Sequence, residues 1–295
     1  MADPAYSNPN ALVSTQWVME HHNDPKVRIV EVVMGSHASF GMPAYNEGHI
    51  PGAVVWDYEK DYLDPEQGDI VNKNDYEKQL SRSGIQPETT VVLYSGLNNM
   101  LATFEFWLMK FYGHKDVRLL DGGRQRWLDE SRPISSTVPS YSPSSYQAQE
   151  PNWSLRARRD DVLQAIGKET IVLVDARSEK MYRGEEKPGT QRGGHIPGAI
   201  NLAAQRAYNS DGSVKGWAIP TTKPDETFKP VQELQALFDE FGITREREII
   251  TYCLRGGVST HAWFVLTQLL GYRNVREYDR SWAEWGNRDD VPIKT

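Results

Sequence analysis

The sequence predicts an α/β protein built from two similar units, each a parallel sheet with helices on both faces. Four segments recur in the same order in the two halves of the 295-residue chain, which indicates a tandem duplication. Within each half, short β-branched runs alternate with segments whose apolar residues recur at helical spacing. Strands that read as continuous apolar runs are typical of parallel sheets covered on both faces, so the alternation predicts this fold class.

The repeated segments are two strand-like runs, a turn rich in glycine, and a segment that ends in tryptophan. Chance similarity would not keep four such segments in one order. The aligned pairs are VRIVEV (27–32) with IVLVDA (171–176), GHIPGAV (48–54) with GHIPGAI (194–200), VVLYS (91–95) with IITYC (249–253), and VRLLDGGRQRW (117–127) with VREYDRSWAEW (275–285).

The second copy shows its elements most clearly. Helices are predicted at 162–166, 234–241 and 262–270, where apolar positions recur at helical spacing. Continuous apolar runs at 172–174 and 249–252 predict buried strands. This order of elements is the strand–helix alternation of a parallel sheet.

The domain boundaries follow from a change in composition between the copies. Residues 131–151 are dense in serine and proline and lack periodicity, so we expect an extended surface linker there. The predicted domains are then 10–130 and 152–295. The first has Ser95 where the second has Cys253, and an unassisted serine hydroxyl cannot do thiolate chemistry at neutral pH. We therefore expect the first domain to be non-catalytic.

Composition excludes several classes of function. The net charge of −7 disfavours a nucleic-acid or anionic membrane surface, and no apolar run approaches the ~20 residues of a membrane span. The N-terminal residues have neither the basic start nor the apolar run of a secretion signal. A single cysteine permits no internal disulfide, so we expect a cytoplasmic protein. No cluster has metal-ligand spacing, and we expect neither a metal nor a cofactor.

Cys253 is the residue most suited to chemistry. It lies where a strand-like run gives way to a glycine-rich turn and then a helix. Free cysteine titrates near pH ~8.5, and helix N-termini or neighbouring cations lower this to roughly 3.5–7.5. The interpretation as a nucleophile competes with the one that fits most lone cysteines, a small buried hydrophobe.

The residues after Cys253 favour the nucleophile. Gly256 and Gly257 let the backbone adopt conformations in which successive N–H groups point at one anion. Arg255 adds a permanent cation two residues from the sulfur, although a solvated surface arginine is the simpler interpretation. Ser259 or Thr260 is the expected N-cap of the helix that follows.

Two other cysteine chemistries fit poorly. A cysteine phosphatase needs an arginine six residues after its nucleophile to hold the phosphoryl oxygens, and here that position is Ser259. A disulfide oxidoreductase needs a second thiol to resolve its mixed disulfide, and the chain has none. One thiol in an anion-stabilising loop suits the transfer of a sulfur atom as a persulfide.

These residues resemble the tandem-domain rhodaneses, the thiosulfate/3-mercaptopyruvate sulfurtransferase family. The resemblance covers about 13–292 and rests on the doubled GHIPGA segment, the LVDAR strand end, the loop that begins at Cys253 and the SWAEWG segment at 281–286. It implies two tandem rhodanese-like domains and a catalytic cysteine at Cys253. The implied reaction passes a sulfane sulfur through a cysteine persulfide to cyanide or another thiophilic acceptor.

The loop sequence bears on the sulfur donor. Thiosulfate enzymes of the family resemble Cys-Arg-Lys-Gly-Val-Thr, and mercaptopyruvate enzymes resemble Cys-Gly-Ser-Gly-Val-Thr. Arg255 supplies a cation at the third position, as in the thiosulfate pattern, whereas Leu254 and Gly257 match neither pattern. The resemblance therefore implies a thiosulfate sulfurtransferase.

An arginine after the strand end keeps the mercaptopyruvate alternative open. Met181 aligns most directly with the family's substrate-binding arginine, but Arg183 lies two residues further on, in a Tyr-Arg-Gly spacing like that of mercaptopyruvate enzymes. Asp175 and Arg177 follow a buried strand and are expected to support the loop as a charge pair. The residues expected to bind the substrate are Arg183, Leu254, Arg255, Gly256, Gly257 and Val258.

The expected partners are a small-molecule sulfur donor, a thiol or cyanide acceptor and a thioredoxin-like reductant. We expect neither a nucleic acid nor a membrane among them. The alternative from another class is a non-enzymatic sulfur-relay or binding module, which passes its persulfide only to a partner protein. An intact loop in one copy favours catalysis over this alternative.

Overall fold

The computed structural model of the chain describes residues 6–35, 45–64, 68–208 and 214–295, without the side chains of 206–208 and 214–217. The chain divides into two compact units. Unit 1 comprises Pro9–Asn152 and Pro224–Phe228, and unit 2 comprises Trp153–Lys223, Lys229–Thr295 and, near the N-terminus, residues 6–8. Both units are α/β with a parallel sheet, which confirms the predicted fold class.

Unit 1 is built on a five-stranded sheet. Its strands are β1 (Leu12–Val13), β2 (Val27–Val33), β3 (Val54–Asp57), β4 (Thr90–Tyr94) and β5 (Val117–Leu120), and its helices are α1 (Thr15–His21), α2 (Tyr58–Asp61), α3 (Lys73–Arg82), α4 (Met100–Phe111) and α5 (Gly123–Asp129). The strand order is β1-β5-β4-β2-β3, and all neighbours are parallel. Every residue of β2 is buried, as expected where both faces of a sheet are covered.

Unit 2 repeats this plan with four strands. Its main elements are α6 (Arg159–Ala165), β6 (Ile171–Asp175), α7 (Glu179–Tyr182), β7 (Ile200–Asn201), the hairpin strands β8 (Gln205–Tyr208) and β9 (Val214–Ala218), α8 (Val231–Glu240), β10 (Glu248–Tyr252), α9 (Ser259–Phe264), a π-helical turn (Val265–Leu269), β11 (Val275–Glu277) and α10 (Ser281–Trp285). The parallel sheet has the order β11-β10-β6-β7, and β8 and β9 form a separate antiparallel pair. No helix among the described residues is long and apolar enough to cross a membrane.

The core of each unit includes a tryptophan from the last repeated segment. Trp127 of unit 1 and Trp285 of unit 2 are both buried. Each indole N–H donates to a proline carbonyl, Pro133 in one case and Pro292 in the other, at 2.9 Å. The apolar ring fills the core while its one polar atom remains satisfied, which is the usual arrangement for a buried tryptophan.

The GHIPGA segments form the same turn in both units. His49 stacks on Tyr45 with ring centroids 3.9 Å apart, and His195 stacks on Tyr182 at 3.7 Å. The Nδ1 atom of each histidine contacts the backbone oxygen of its stacked tyrosine at 2.9 Å. Because only one unit has a thiol, a contact that occurs in both units serves the fold.

The serine- and proline-rich segment at 131–151 packs with unit 1. The Tyr141 ring lies under the guanidinium of Arg28, whose carbon is 3.2 Å from the ring centroid, and the Tyr141 hydroxyl donates to the Gly52 carbonyl (2.7 Å). Further along, the Tyr146 hydroxyl lies 2.9 Å from Nδ1 of His114. The segment has almost no regular secondary structure, but specific side-chain contacts hold it in place. The domain boundaries at 130 and 152 stay a prediction.

Candidate active site

The only cysteine of the chain lies at the carboxyl end of β10. This is the edge at which open α/β sheets place their ligands. Cys253 is 3% exposed and is not part of a disulfide. Residues 253–258, here called the cysteine loop, connect β10 to α9.

Hydrogen bonds to the start of α10 fix the backbone of Cys253 on both sides. The Cys253 N–H donates to Oγ of Ser281 (2.9 Å), and the Trp282 N–H donates to the Cys253 carbonyl (3.0 Å). The next carbonyl, of Leu254, accepts from the Ala283 N–H at 2.9 Å. With the N–H and the carbonyl of Cys253 both bound to the start of α10, the sulfur is the part of this residue that is available for chemistry.

The cysteine loop carries backbone donors that the protein itself does not use. Within the described part of the chain, the N–H groups of Leu254, Gly256, Gly257 and Val258 donate no hydrogen bond to a protein acceptor. Gly256 has a φ of +87°, a conformation that suits glycine because it has no Cβ. Gly256 is buried and the other three residues are partly buried, so a group of unused backbone donors next to a thiol suits an incoming anion.

The start of α9 differs in detail from the prediction. The N-cap position is Val258, and no side chain caps the helix, so the expectation of Ser259 or Thr260 as N-cap is wrong. The two hydroxyls donate back to loop carbonyls instead, Ser259 to Gly256 at 3.2 Å and Thr260 to Gly257 at 3.0 Å. These contacts hold the loop against the first turn of the helix.

Asp175 and Arg177 form a buried ion pair beside the cysteine. Nη2 of Arg177 donates to Oδ2 of Asp175 (2.6 Å) and to the Gly194 carbonyl (2.7 Å). The guanidinium carbon also lies 4.1 Å from the centroid of the Trp282 ring. Burial lowers the pKa of Arg177, but the charge of Asp175 outweighs it and raises this pKa above its usual value, with a further contribution from Cys253. The arginine therefore stays charged within electrostatic range of the sulfur.

Unit 1 builds a corresponding ion pair, in which the acid comes from the aligned position and the arginine from a different one. Glu31, which aligns with Asp175, pairs with Arg124 at 2.5 Å, and Arg124 also donates to the Gly48 carbonyl. Arg124 aligns not with an arginine but with Trp282, the residue that stacks on Arg177 in unit 2. An arginine that joins a strand-end acid to the GHIPGA turn therefore occurs in both units, whether or not a thiol is present.

The two arginines expected at the substrate lie on exposed positions. Arg255 is exposed in the cysteine loop. Arg183 follows α7 with its side chain 63% exposed and pairs with Glu179 at 3.1 Å, one helical turn away. The described contacts of Arg183 join it to its own helix and not to the cysteine loop.

Among the described residues, no group of three His, Cys, Asp or Glu side chains could hold a metal ion.

A buried acid under the loop was not predicted. Glu277 on β11 is fully buried, and its carboxyl group contacts the hydroxyls of Thr251 and Ser259. The sequence held a signal for it. In the aligned repeat, Thr251 and Glu277 stand where unit 1 has Leu93 and Leu119, so two apolar positions of one copy are polar in the other.

In unit 1, side chains form hydrogen bonds with backbone groups of the counterpart loop and of the helix that follows it. Ser95 donates to the Gly96 carbonyl (3.1 Å) and accepts from the Ala102 N–H (3.2 Å). The Asn98 N–H donates to the Glu226 carboxyl group at 3.0 Å, so an acceptor from the chain itself lies on this loop. Burial raises the pKa of Glu226 to about 7, although the Asn98 N–H lowers it. Unit 1 thus has no thiol at this position, and the Asn98 N–H of its loop is already bound to a carboxyl group of the chain.

Comparison with known proteins identifies the family. The rhodanese-like domain model matches residues 14–130 and again 158–288. Sulfur carrier protein TtuD of Thermus thermophilus is 45% identical over 298 residues, which cover 98% of each chain. A protein of Mycolicibacterium smegmatis named "putative thiosulfate sulfurtransferase" is 42% identical over 292 residues, which cover 97% of this chain and 98% of the relative.

A solved structure extends the similarity to an enzyme with a modified cysteine. EanB, in a form that holds a cysteine persulfide and ergothioneine, superposes with a TM-score of 0.83 at 26% identity. The match covers 98% of this chain and 71% of that chain. Both the fold and the doubled domain match therefore agree with the predicted resemblance. The chain belongs to the rhodanese family, with two rhodanese-like domains in tandem.

Proposed function

We propose that this sulfurtransferase moves a sulfane sulfur from thiosulfate to cyanide or another thiophilic acceptor through a persulfide on Cys253. The observation that carries the proposal is the cysteine loop itself. The backbone of the only thiol residue makes two hydrogen bonds to the start of α10, the next residue makes a third, and four loop N–H groups have no protein acceptor within the described residues. The relative named as a thiosulfate sulfurtransferase supports the choice of donor.

The reaction has two displacement steps. The Cys253 thiolate attacks the outer sulfur of thiosulfate, a new S–S bond forms, and sulfite leaves with the electron pair of the broken bond. The product is a persulfide anion, Cys253-S-S⁻, on which the loop N–H groups stabilise the negative charge. Cyanide then attacks the terminal sulfur, thiocyanate leaves, and the Cys253 thiolate returns.

The other residues of the cysteine loop would bind the substrate. Backbone N–H groups of Leu254, Gly256, Gly257 and Val258 would bind the anion in each step. Arg255, in the same loop, would bind the sulfonate end of thiosulfate by a charge-assisted hydrogen bond.

Three residues outside the loop have less direct roles. Arg183 would contact the substrate only if its side chain leaves Glu179, which is feasible for an exposed ion pair because such pairs are weak. Asp175 and Arg177 would support the loop and keep a positive charge near the sulfur.

Two alternatives define what must be measured. One close relative is named a sulfur carrier protein, which favours transfer of the persulfide to a partner protein, with a thioredoxin-like protein as a candidate reductant. The Arg183 spacing keeps 3-mercaptopyruvate as an alternative donor.

We place the protein in the cytoplasm, without nucleic-acid or membrane partners, because of its single cysteine and its net charge of −7.

The first test compares wild type with Cys253→Ser. We expect the variant to fold as the wild type does and to lose thiosulfate:cyanide transfer, because a serine hydroxyl cannot act as a thiolate at neutral pH. Intact-mass spectra after incubation with thiosulfate should show one added sulfur atom on the wild type only. Transfer by the purified variant would contradict the proposal, and loading without turnover on small acceptors would favour the carrier function.

The second test concerns the donor. We expect Arg255→Gly to lower kcat/KM for thiosulfate at least about tenfold, because a charge-assisted hydrogen bond contributes about 1.5–3 kcal/mol, and to affect 3-mercaptopyruvate less. Rates with both donors, measured side by side on wild type and variant, check this. An equal loss with the two donors would remove Arg255 as the residue that selects thiosulfate.

A further inference from the structure

A buried cluster of three polar side chains lies directly under the cysteine loop. Its members are Thr251 on β10, Glu277 on β11 and Ser259 at the start of α9, here called the Glu277 cluster. All three are fully buried. The Thr251 hydroxyl donates to Oε2 of Glu277 at 2.5 Å, and Ser259 Oγ contacts Oε1. Ser259 Oγ also lies 3.2 Å from the carbonyl of Gly256 in the cysteine loop.

The cluster belongs to the unit that has the thiol. In the sheet register Thr251 lies beside Glu277, and at the same place in unit 1 Leu93 lies beside Leu119. Leucine shows that this position needs no polar group for the fold. Burying a carboxyl group costs several kcal/mol unless it is neutralised or hydrogen-bonded, so a polar cluster in one copy only requires a reason linked to that copy's loop.

Counting protons determines the charge state of the cluster. A serine hydroxyl has one proton, so Ser259 can donate either to Glu277 or to the Gly256 carbonyl. An ionised Glu277 would take that proton, and the Gly256 carbonyl would then accept only from the Thr260 N–H, at 3.0 Å. A neutral Glu277 donates to Ser259, which then donates to Gly256, while Thr251 donates to the other carboxyl oxygen. Only the neutral acid satisfies every contact in the cluster.

The surroundings favour the same state. Burial raises the pKa of Glu277 well above its usual value, and the neighbouring Cys253 raises it further. Asp279, also near, is committed to Arg156 through two contacts of 2.7 and 2.8 Å. His261 on α9 turns its Nδ1 to Thr221 at 3.2 Å. Within the described residues no lysine or arginine pairs with Glu277.

We propose that Glu277 is a positioning residue for Cys253. As a neutral acid it links Thr251 to Ser259, and through Ser259 it holds the Gly256 carbonyl and so the conformation of the cysteine loop. It does this without placing a second negative charge beside the thiolate or the persulfide, which a carboxylate would disfavour. The inference rests on the proposed role of Cys253 as the reacting thiol.

Glutamine and leucine at position 277 separate this role from a merely structural one. Glu277→Gln reproduces the neutral acid, because the amide oxygen accepts from Thr251 and the NH₂ group donates to Ser259. Glu277→Leu installs the residue that unit 1 has, and it breaks the link to Gly256 at the contact between position 277 and Ser259, although Ser259 itself can still donate to the Gly256 carbonyl. The probe is alkylation of Cys253 by iodoacetamide as a function of pH, which needs no sulfur donor.

For Glu277→Gln we expect an alkylation midpoint within about 0.3 pH units of wild type and a rate at pH 7 within about twofold. For Glu277→Leu we expect a rate at least about fivefold lower, because Ser259, which binds the Gly256 carbonyl of the loop, loses the hydrogen bond that positions it. The infrared band of a buried carboxylic acid should be present in wild type and absent from Glu277→Gln.

Two outcomes would overturn the proposal. A midpoint about one unit lower in Glu277→Gln would show that the wild-type group carries a negative charge next to the thiol. An unchanged rate in Glu277→Leu would show that the cluster does not position the loop. If Glu277→Leu does not fold, Ser259→Ala replaces it, since this variant breaks the same link to Gly256.

The two proposals can fail separately. If Cys253 never takes up sulfur from a donor while the alkylation results hold, the sulfurtransferase reaction is wrong and the role of Glu277 stands. If sulfur transfer is observed and the alkylation results fail, only the role of Glu277 is lost.

Discussion

The buried acid of the first repeated strand segment pairs with an arginine in both units, but the fold does not dictate which residue supplies that arginine. In unit 2 the arginine comes from position 177, just after β6, and in unit 1 it comes from position 124 on α5. The position that aligns with Arg124 is Trp282 in unit 2, and its ring stacks on Arg177. Coupled changes of this kind conserve the ion pair and the bond to the GHIPGA turn while the sequence around them diverges.

This ion pair gives a prediction at the scale of residues. Arg177→Ala should lower the free energy of unfolding by about 3–5 kcal/mol, because it leaves the charge of Asp175 buried without a partner. The double variant Asp175→Asn/Arg177→Ala should recover part of this loss, since no charge remains buried. Urea unfolding of the wild type and the variants checks the order, and a double variant less stable than the single one would contradict it.

At the scale of elements, one backbone conformation joins the end of β11 to α10. Ser281 has a φ of +53°, and the aligned Gly123 of unit 1 has a φ of +54°. In unit 1 a Cβ at this position would lie 2.5 Å from the Ser95 carbonyl, so glycine is required. In unit 2 the serine fits, and its Oγ accepts from the Cys253 N–H. The same turn occurs in both units, and in unit 2 it also supplies the acceptor for the Cys253 N–H.

Two substitutions at Ser281 separate the effect of its hydrogen bond to the Cys253 N–H from the cost of its left-handed backbone. Ser281→Ala should lower the free energy of unfolding by about 1–3 kcal/mol, because the buried Cys253 N–H loses its acceptor and the left-handed backbone remains. Ser281→Gly loses the same bond but relieves a backbone cost of roughly 1 kcal/mol, so it should be the more stable of the two. Both should slow sulfur transfer. Thermal unfolding and transfer rates check this, and Ser281→Ala as the more stable variant would refute it.

At the scale of the whole molecule, one segment belongs to a different unit from the residues that flank it in sequence. Pro224–Phe228 follows the hairpin of unit 2 in sequence but packs in unit 1. Asp225 pairs with Arg126 at 2.6 Å, the Phe228 N–H donates to Asp121 at 3.0 Å, and between them Glu226 accepts from Asn98. These contacts attach the segment to unit 1 beside the loop that corresponds to the cysteine loop.

Glu226 makes the attachment of this segment dependent on pH. Burial raises its pKa to about 7 in the folded chain, against 4.5 as its ordinary value, so folding takes up a proton between these values. Its contribution to stability is therefore fully present below pH 4.5 and is lost as the pH rises through 7, a change of about 3 kcal/mol.

Glu226→Gln should remove this dependence. We expect the difference in unfolding free energy between variant and wild type to change in favour of the variant as the pH rises from 5 to 8. Urea unfolding of both full-length proteins across that range measures it. Parallel curves for the two proteins would show that Glu226 is not the group that titrates.

The sequence by itself determined the doubled α/β fold, the family and the position of the lone thiol at a strand end. These are readable because strand and helix periods, repeated segments and a unique cysteine are local properties of the chain. It did not reveal that Arg183 pairs with its own helix, that Arg124 takes the place of Arg177 in unit 1, or that Ser281 holds Cys253. Nor did it assign a role to Glu277.

Tertiary structure decided these points because each depends on which residues meet across strands and loops that are distant in the chain. Glu277 is one polar residue in a short strand, and the sequence pattern there does not say what it faces. Only the pairing of β10 with β11 places it beside Thr251 and under the cysteine loop. The lone thiol can be located in the sequence alone, whereas its contact with Ser281 and the contact of Glu277 with Thr251 depend on the fold.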